Sequence, residues 1–354
     1  MKKEDLRIVF MGTPEFAVET LQTLVENNYN VVAVVTQPDK PVGRHGSVVQ
    51  ASAVKQYALS VGLPVLQPEK MKDPAFVEQL RSYDANLQVV VAFRMLPEVV
   101  WAMPEYGTFN VHAALLPQYR GAAPINWAVI NGETQTGVTT FFLDHDIDTG
   151  RIIEQRTFDI PDDADVEYVY DGLMHLGADI ALSTIGKIIA ADGHPETMSQ
   201  DELTEQLRAG TGPATALRAG TGPAPTLRAG TGPAPTLRPA PKLFKENCRI
   251  DWQQPAKRVY DFVRGLSPYP GAWTTLRDGR GKETVLKLYR TEKTGEEIAS
   301  AAITPGTLRA ERKQLFVACK DQWLRITDLQ LAGKKRMDAQ AFLNGMQDVE
   351  NCVL

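Results

Sequence analysis

The run TFNVH ends on two polar residues, Asn110 and His112, separated by a single valine. Side chains alternate along a strand, so the carboxamide and the imidazole share a face. A carboxamide can stabilise an oxyanion through its N–H donors, and an imidazole, with an ordinary pKa of about 6.5, can move a proton. By themselves the two residues suit a strand end and a turn equally well. A second polar cluster, LDHDIDTGR at 143–151, adds carboxylates at Asp144, Asp146 and Asp148. Their alternate spacing resembles part of a calcium loop, but the glycine and terminal glutamate of an EF-hand are missing. An aspartate near a histidine is more useful as the group that orients its ring.

Other chemistries lack their residues. FMGTPEF, after the first apolar run, has one glycine and a proline where a dinucleotide turn needs several glycines, which disfavours a nicotinamide enzyme. Walker-type and HExxH patterns are absent, and the five histidines do not cluster at metal-ligand spacing. Cys248, Cys319 and Cys352 are an odd, widely spaced set that makes neither a disulfide framework nor a zinc site. No metal is expected. No uninterrupted run approaches the roughly 18 apolar residues that would span a bilayer, and MKKEDLRIVFMG lacks the apolar segment of a signal peptide. A soluble, cytoplasmic protein without membrane partners is expected.

The elements that must position Asn110 and His112 are legible in the first 194 residues. LRIVFMG, VVAVVT, LPVLQ and LQVVVAF are apolar strand signals, and PEFAVETLQTLVEN, ASAVKQYALSVG and PAFVEQLRSY carry helical spacing. This βαβαβ rhythm predicts an α/β fold, a doubly wound and mostly parallel sheet, which binds ligands at the carboxyl ends of its strands. TFNVH and GVTTFFL continue the sheet, RIIEQRTFDI reads as its edge, and the long helical stretch after Asp165 closes the domain near His194. Residues 195–241 are expected to be a linker containing a ten-residue Gly/Pro-rich repeat, too short in period and too poor in apolar residues to stack. Beyond Lys242, the segments RIDW, AWTTLR, VLKLYR, GTLRA, QLFVAC and WLRITDLQL, with a helix around Pro255–Leu266, predict a small β-barrel of the oligonucleotide-binding type, with a β-sandwich as the alternative. Charge divides the same way: residues 1–194 carry 14 Lys/Arg against 25 Asp/Glu, and residues 242–354 carry 20 against 14. A basic second domain on an acidic protein attracts phosphate backbones.

FMGTPEFAVETL, TQPDKPVGR, NVHAALLPQYRGAAPINWAVINGE, the DTG that follows it, and PAPKLFKENCRIDW occur in this order. Together they resemble the methionyl-tRNA formyltransferase family over nearly the whole chain outside the repeat. The resemblance implies transfer of the formyl group of 10-formyltetrahydrofolate to the α-amino group of methionine on initiator methionyl-tRNA; a monomer is expected. It assigns the catalytic roles to Asn110, His112 and Asp148, choosing Asp148 over Asp144 and Asp146, with Asp148 orienting the imidazole and favouring its charged form. Ala114, Leu115, Leu116 and Pro117 match a folate-binding SLLP segment in which Ala114 replaces serine, leaving contact through the backbone. Phe93, Arg94, Met95 and Leu96 fall in the wall against which the pterin ring is read by backbone groups.

Contacts to tRNA are expected from Lys40 and Arg44 in the long loop 36–50, and from Lys242, Lys245 and Arg249, with Lys257, Arg258, Arg264 and the Lys334–Arg336 run as further candidates. The repeat is expected to be a bystander tether, with diffuse attraction for RNA through Arg208, Arg218, Arg228 and Arg238 as the alternative. Formyltransferases acting on sugar nucleotides or glycinamide ribonucleotide, and formyl-folate hydrolases, share the Asn, His and Asp set. The basic second domain and QPDKPVGR favour tRNA over them. A non-catalytic RNA-binding chain with an inactive α/β domain is the reading from another class, and the intact triad disfavours it.

Overall fold

The computed structural model describes residues 1–42, 48–208, 237–300, 302–346 and 348–354. Arg44, Arg218 and Arg228, with most of the repeat, lie outside the described residues. The first domain is built on β1 (Ile8–Gly12), β2 (Val31–Val35), β5 (Val65–Leu66), β6 (Leu87–Val91) and β7 (Thr108–His112), which run parallel in the order β5-β2-β1-β6-β7. Their near-continuous apolar sequences follow from burial on both faces. Ile8, Phe10, Val89 and Val111 share a core with α1 (Glu15–Glu26), α2 (Ala53–Ser60) and α6 (Val166–Ala190). Val9, Met11, Ala33 and Val90 pack with α3 (Pro74–Arg81) and α4 (Glu98–Trp101). By length and composition α6 could cross a membrane, but here its Leu173, Ile180, Ile185 and Ile188 fill the core.

The sheet ends differently from its start. α5 (Pro124–Ile130) leads into β8 (Gln135–Phe142), which pairs antiparallel with β7, and β9 (Ile152–Asp159) pairs antiparallel with β8 at the edge. The 36–50 loop contains a hairpin of β3 (Lys40–Val42) and β4 (Val48–Gln50). Its base is held by Asp39, which accepts from Lys55 Nζ at 2.6 Å and Gln67 Nε2 at 2.7 Å.

Both described ends of the expected 195–241 linker belong to the first domain, which corrects the boundary drawn near His194. Met198 bridges Ile152, and α7 (Gln200–Arg208) buries Leu203 and Leu207 against Leu116, Phe141 and Ile152. Gln200, Leu203, Thr204 and Leu207 form an i, i+3, i+4, i+7 stripe, a helical signal inside a polar stretch. At the other end Ala240 is fully buried and bridges Gly121.

The second domain is an antiparallel sheet of β10 (Ala272–Arg277), β11 (Glu283–Glu297), β14 (Gln322–Leu331), β13 (Gln314–Ala318) and β12 (Leu308–Glu311), in that spatial order. β15 (Met337–Asp338) adds to β14, and α9 (Ala339–Gly345) follows it, capped by Asp338. Val353 forms antiparallel bridges to Arg277 and Thr307, so the chain end draws the two outer strands together as a barrel would. RIDW, expected as a strand, makes only the Arg249–Trp273 bridge. Asp251 accepts from Gln253 N at 3.0 Å, an Asx turn that diverts the chain.

α8 (Ala256–Leu266) joins the domains. Ile130 of α5 is part of the second domain's apolar core, and a Cβ at Gly265 would meet the Ile130 nitrogen at 2.7 Å, so only glycine permits this approach. Asn126 Nδ2 donates to Gly265 O at 2.9 Å, Tyr260 Oη to Asp162 O at 2.9 Å, and Arg264 Nη1 to Ala164 O at 2.8 Å.

Candidate active site

Phe109 and Val111 of β7 face the α1/α6 core, so Asn110 and His112 project to the opposite side of the sheet, at its carboxyl edge. His112 is 6% exposed and meets the Phe141 ring edge-on. Its Nε2 lies 2.9 Å from Tyr119 O. A carbonyl only accepts, so Nε2 carries the hydrogen of that bond and Nδ1 is the ring atom left for proton exchange. Asp148 Oδ2 stands 3.9 Å from Nδ1, too far for a hydrogen bond and close enough for charge to be felt. The same oxygen accepts from Gly121 N at 2.9 Å. The half-buried Asn110 carboxamide has no hydrogen-bond partner among the described residues.

Asp148 adopts a left-handed φ of 55°, which aspartate tolerates better than most residues. Gln200, 2% exposed on α7, holds the turn: its Nε2 donates to Asp148 O and Gly150 O, each at 2.9 Å, and its Oε1 accepts from Arg120 at 2.6 and 3.0 Å. Asp144 accepts from Asp146 N and Thr149 Oγ1, closing the loop on itself, while Asp146 stays exposed. Alternate spacing makes the three acids equivalent; the fold turns one of them toward His112.

The Ala114–Pro117 segment follows at once. Ala114 and Leu116 are fully buried, so their side chains face core and contact with a ligand falls to the main chain. Thr139 Oγ1 of β8 donates to Ala114 O at 2.6 Å and accepts from Leu116 N at 3.1 Å and Gln155 Nε2 at 2.9 Å. Val91 of β6 pairs with Val111, so the loop holding Phe93–Leu96 starts beside His112. Here the roles separate. Leu96 is core, and Arg94 donates to Glu69 O at 2.9 Å and to Pro68 O, while Met95 is 71% exposed. Among the described residues, the N–H groups of Phe93–Leu96 donate to no protein acceptor. With exposed Val99 and Ile147 nearby in sequence to these loops, the edge offers main-chain donors and apolar side chains, a set that fits a folate's polar ring edges and flat faces.

The sequence model of the family described as Formyl transferase matches residues 6–185, and that described as Formyl transferase, C-terminal domain, matches 242–347. The protein named methionyl-tRNA formyltransferase from Parabacteroides distasonis is 57% identical over 350 residues, covering 99% of this chain and 98% of the relative. The one from Bacteroides fragilis is 52% identical over 353 residues, with 99% and 98% covered. The chain belongs to the methionyl-tRNA formyltransferase family. Fold similarity extends further: HypX from Aquifex aeolicus, solved with tetrahydrofolic acid, superposes with a TM-score of 0.57 at 19% identity over 97% of this chain and 48% of HypX. WlaRD, a sugar 3N-formyl transferase, gives 0.56 at 15% identity over 93% of this chain and 99% of its own.

A methionyl-tRNA formyltransferase needs a surface for phosphate, and the expected residues divide sharply. Lys40 is exposed on β3, and Lys242, Lys245 and Arg249 are exposed on one stretch with no ion pair among the described residues. Lys242 lies over Phe244, itself 56% exposed, and Lys245 and Arg249 both lie 5.7 Å from the Trp273 ring. Arg258 lines a cleft with Arg249, Ile130 and Phe262. Lys257, Arg264 and Arg336 are corrections to the expected set: Lys257 pairs with Asp261 at 2.6 Å, buried Arg264 holds Asp261 and Ala164 O, and Arg336 pairs with Asp328. Trp252 is core and donates to Thr274. Sequence reasoning missed Tyr119, Thr139 and Gln200; only Gln200 carried a signal, the helical stripe of α7.

Proposed function

We infer that the chain transfers the formyl group of 10-formyltetrahydrofolate to the α-amino group of methionine esterified to initiator tRNA. The observation that carries this is the convergence of Asn110, His112 and Asp148 at the carboxyl edge of the sheet in a chain kin to methionyl-tRNA formyltransferases over its whole length. The folate cosubstrate supplies a formamide-like carbon. Attack by the amine builds negative charge on its oxygen, and the free Asn110 carboxamide donates to that oxygen. One such donor is worth roughly 3 kcal/mol of barrier. His112 Nδ1 takes a proton from the attacking amine and returns one to the departing nitrogen. The Asp148 carboxylate at 3.9 Å counters the charge on the imidazole while it carries that proton. Gly121 N–H and Gln200 keep Asp148 in place for this.

Main-chain groups of Phe93, Arg94, Met95 and Leu96 and of Ala114, Leu115, Leu116 and Pro117 are the proposed folate contacts. Lys40 and Arg44 on the first domain, and Lys242, Lys245 and Arg249 on the second, are the proposed tRNA contacts. The catalytic unit in this reading runs past residue 194 to include α7 and residues 238–240, and the domain from 242 onward binds tRNA. The chain acts as a cytoplasmic monomer; three free, buried cysteines fit the reducing compartment in this reading. Formyl transfer assayed with charged initiator and elongator tRNAs tests the proposal. Formylation of the initiator alone is expected; turnover only of a sugar amine or glycinamide ribonucleotide would overturn it. His112→Ala is expected to lower kcat by about 10²- to 10⁴-fold with an unchanged circular dichroism spectrum.

A further inference from the structure

Arg238 is the last of four arginines spaced ten residues apart, and spacing alone does not distinguish it from the other three. Its contacts give it another. The guanidinium donates to Glu133 Oε1 at 2.7 Å, a carboxylate only 1% exposed. The Tyr119 hydroxyl donates to the same oxygen, and burial first, then the Glu133 charge, push that phenol well above its ordinary pKa, so it keeps its proton. Along the backbone, Arg238 N donates to Gln118 Oε1 at 2.8 Å and Tyr119 N donates to Arg238 O at 2.7 Å. Two residues on, Ala240 N donates to Arg120 O at 2.8 Å and Ala240 O accepts from Ala122 N at 2.7 Å.

The loop gripped in this way supplies both anchors of the catalytic pair. Tyr119 O holds His112 Nε2, and Gly121 N holds Asp148 Oδ2. The grip leaves no slack: Tyr119 sits at a φ of 59°, and a Cβ on Gly121 would stand 2.4 Å from Ala240 O. A loop with a bulky residue in the left-handed region needs its surroundings to keep it there. We propose that Arg238 is a positioning residue for formyl transfer, locking the 118–123 loop so that His112 and Asp148 keep their mutual geometry. Its route to the chemistry is Glu133, Tyr119 and the Tyr119 carbonyl. The strap it begins runs directly into Lys242–Arg249, so the segment that leads to the second domain is also a wall of the catalytic centre.

The proposal rests on the formyl-transfer reading, and its test has an arm that does not. Long-range ¹H–¹⁵N NMR of the full chain at alkaline pH, with His112 assigned through His112→Ala, reports which ring nitrogen carries hydrogen. Wild type is expected to show hydrogen on Nε2, and Arg238→Ala an averaged pair of tautomers. In steady state Arg238→Ala is expected to lower kcat roughly 10- to 100-fold, with KM for tRNA and folate little changed, and Arg238→Lys to recover most of both signals. An unchanged tautomer in Arg238→Ala overturns the proposal, whether kcat falls or not. Should that variant not fold, Arg238→Gln keeps the stem and a donor without the charge and is read identically. A wild type that formylates no tRNA would defeat the functional reading while leaving the tautomer result to decide the positioning role.

Discussion

Thr139 is the residue whose hydroxyl does most for the Ala114–Pro117 segment proposed to meet the folate. With no exposure it joins three groups: it donates to Ala114 O and accepts from Leu116 N and from Gln155 Nε2, which also donates to Leu116 O at 2.8 Å. Thr139→Val keeps the volume and removes the hydroxyl, leaving buried main-chain groups unmatched. The expected loss is about 1–3 kcal/mol of unfolding free energy in urea titration, with KM for the folate raised more than kcat is lowered. The cysteines show the opposite case. Burial pushes Cys319 up to about 12, so it is inert packing.

At the scale of elements, the joint between the domains sets how firmly the two proposed tRNA surfaces are held together. Its strength is apolar: burying Ile130 in the second domain's core contributes roughly 1.5–3 kcal/mol. The ion pairs beside it are worth less, because Asp162 is 58% exposed and such pairs contribute about 0–1 kcal/mol. Asp162 still marks the joint in a pH profile. Partial burial raises its pKa, but the Lys293 hydrogen bond and the Lys257 and Lys293 charges outweigh that and leave it below the usual carboxylate value. A depressed carboxylate stabilises the fold above its unfolded pKa, and this is lost as pH falls through the lower folded value. Wild type is therefore expected to melt above Asp162→Asn at neutral pH, with the difference shrinking as pH falls below about 4. A gap that persists unchanged into acid would show that the carboxylate's charge is not its source.

For the whole molecule, the distribution of unpaired cations predicts how tRNA affinity responds to salt. Removing one cation that binds a phosphate lowers the slope of log K against log salt by about one. Lys245→Ala and Arg249→Ala are each expected to do so in filter binding across a salt series. Lys257→Ala and Arg264→Ala are expected to lower the melting temperature and leave the slope alone, because their charges are spent inside the joint. Equal slopes for all four variants would refute the division of the basic residues drawn from their partners.

The linear pattern of residues is enough to specify the doubly wound sheet, the strand end that carries Asn110 and His112, the change to a β domain near residue 242 and the family. These are written in short-range periodicity and in contiguous motifs, and burial on one or two faces of an element enforces both. Packing in three dimensions was needed to decide that Lys257 and Arg264 join domains while Lys245 and Arg249 stay free, that α7 belongs to the catalytic domain's core, and that Arg238 sits behind His112. Gln200 meets Asp148 across 52 residues of chain, and Arg238 meets Glu133 across 105. Partners that far apart leave no local spacing to read, because the chain's path between them, not its pattern, brings them together.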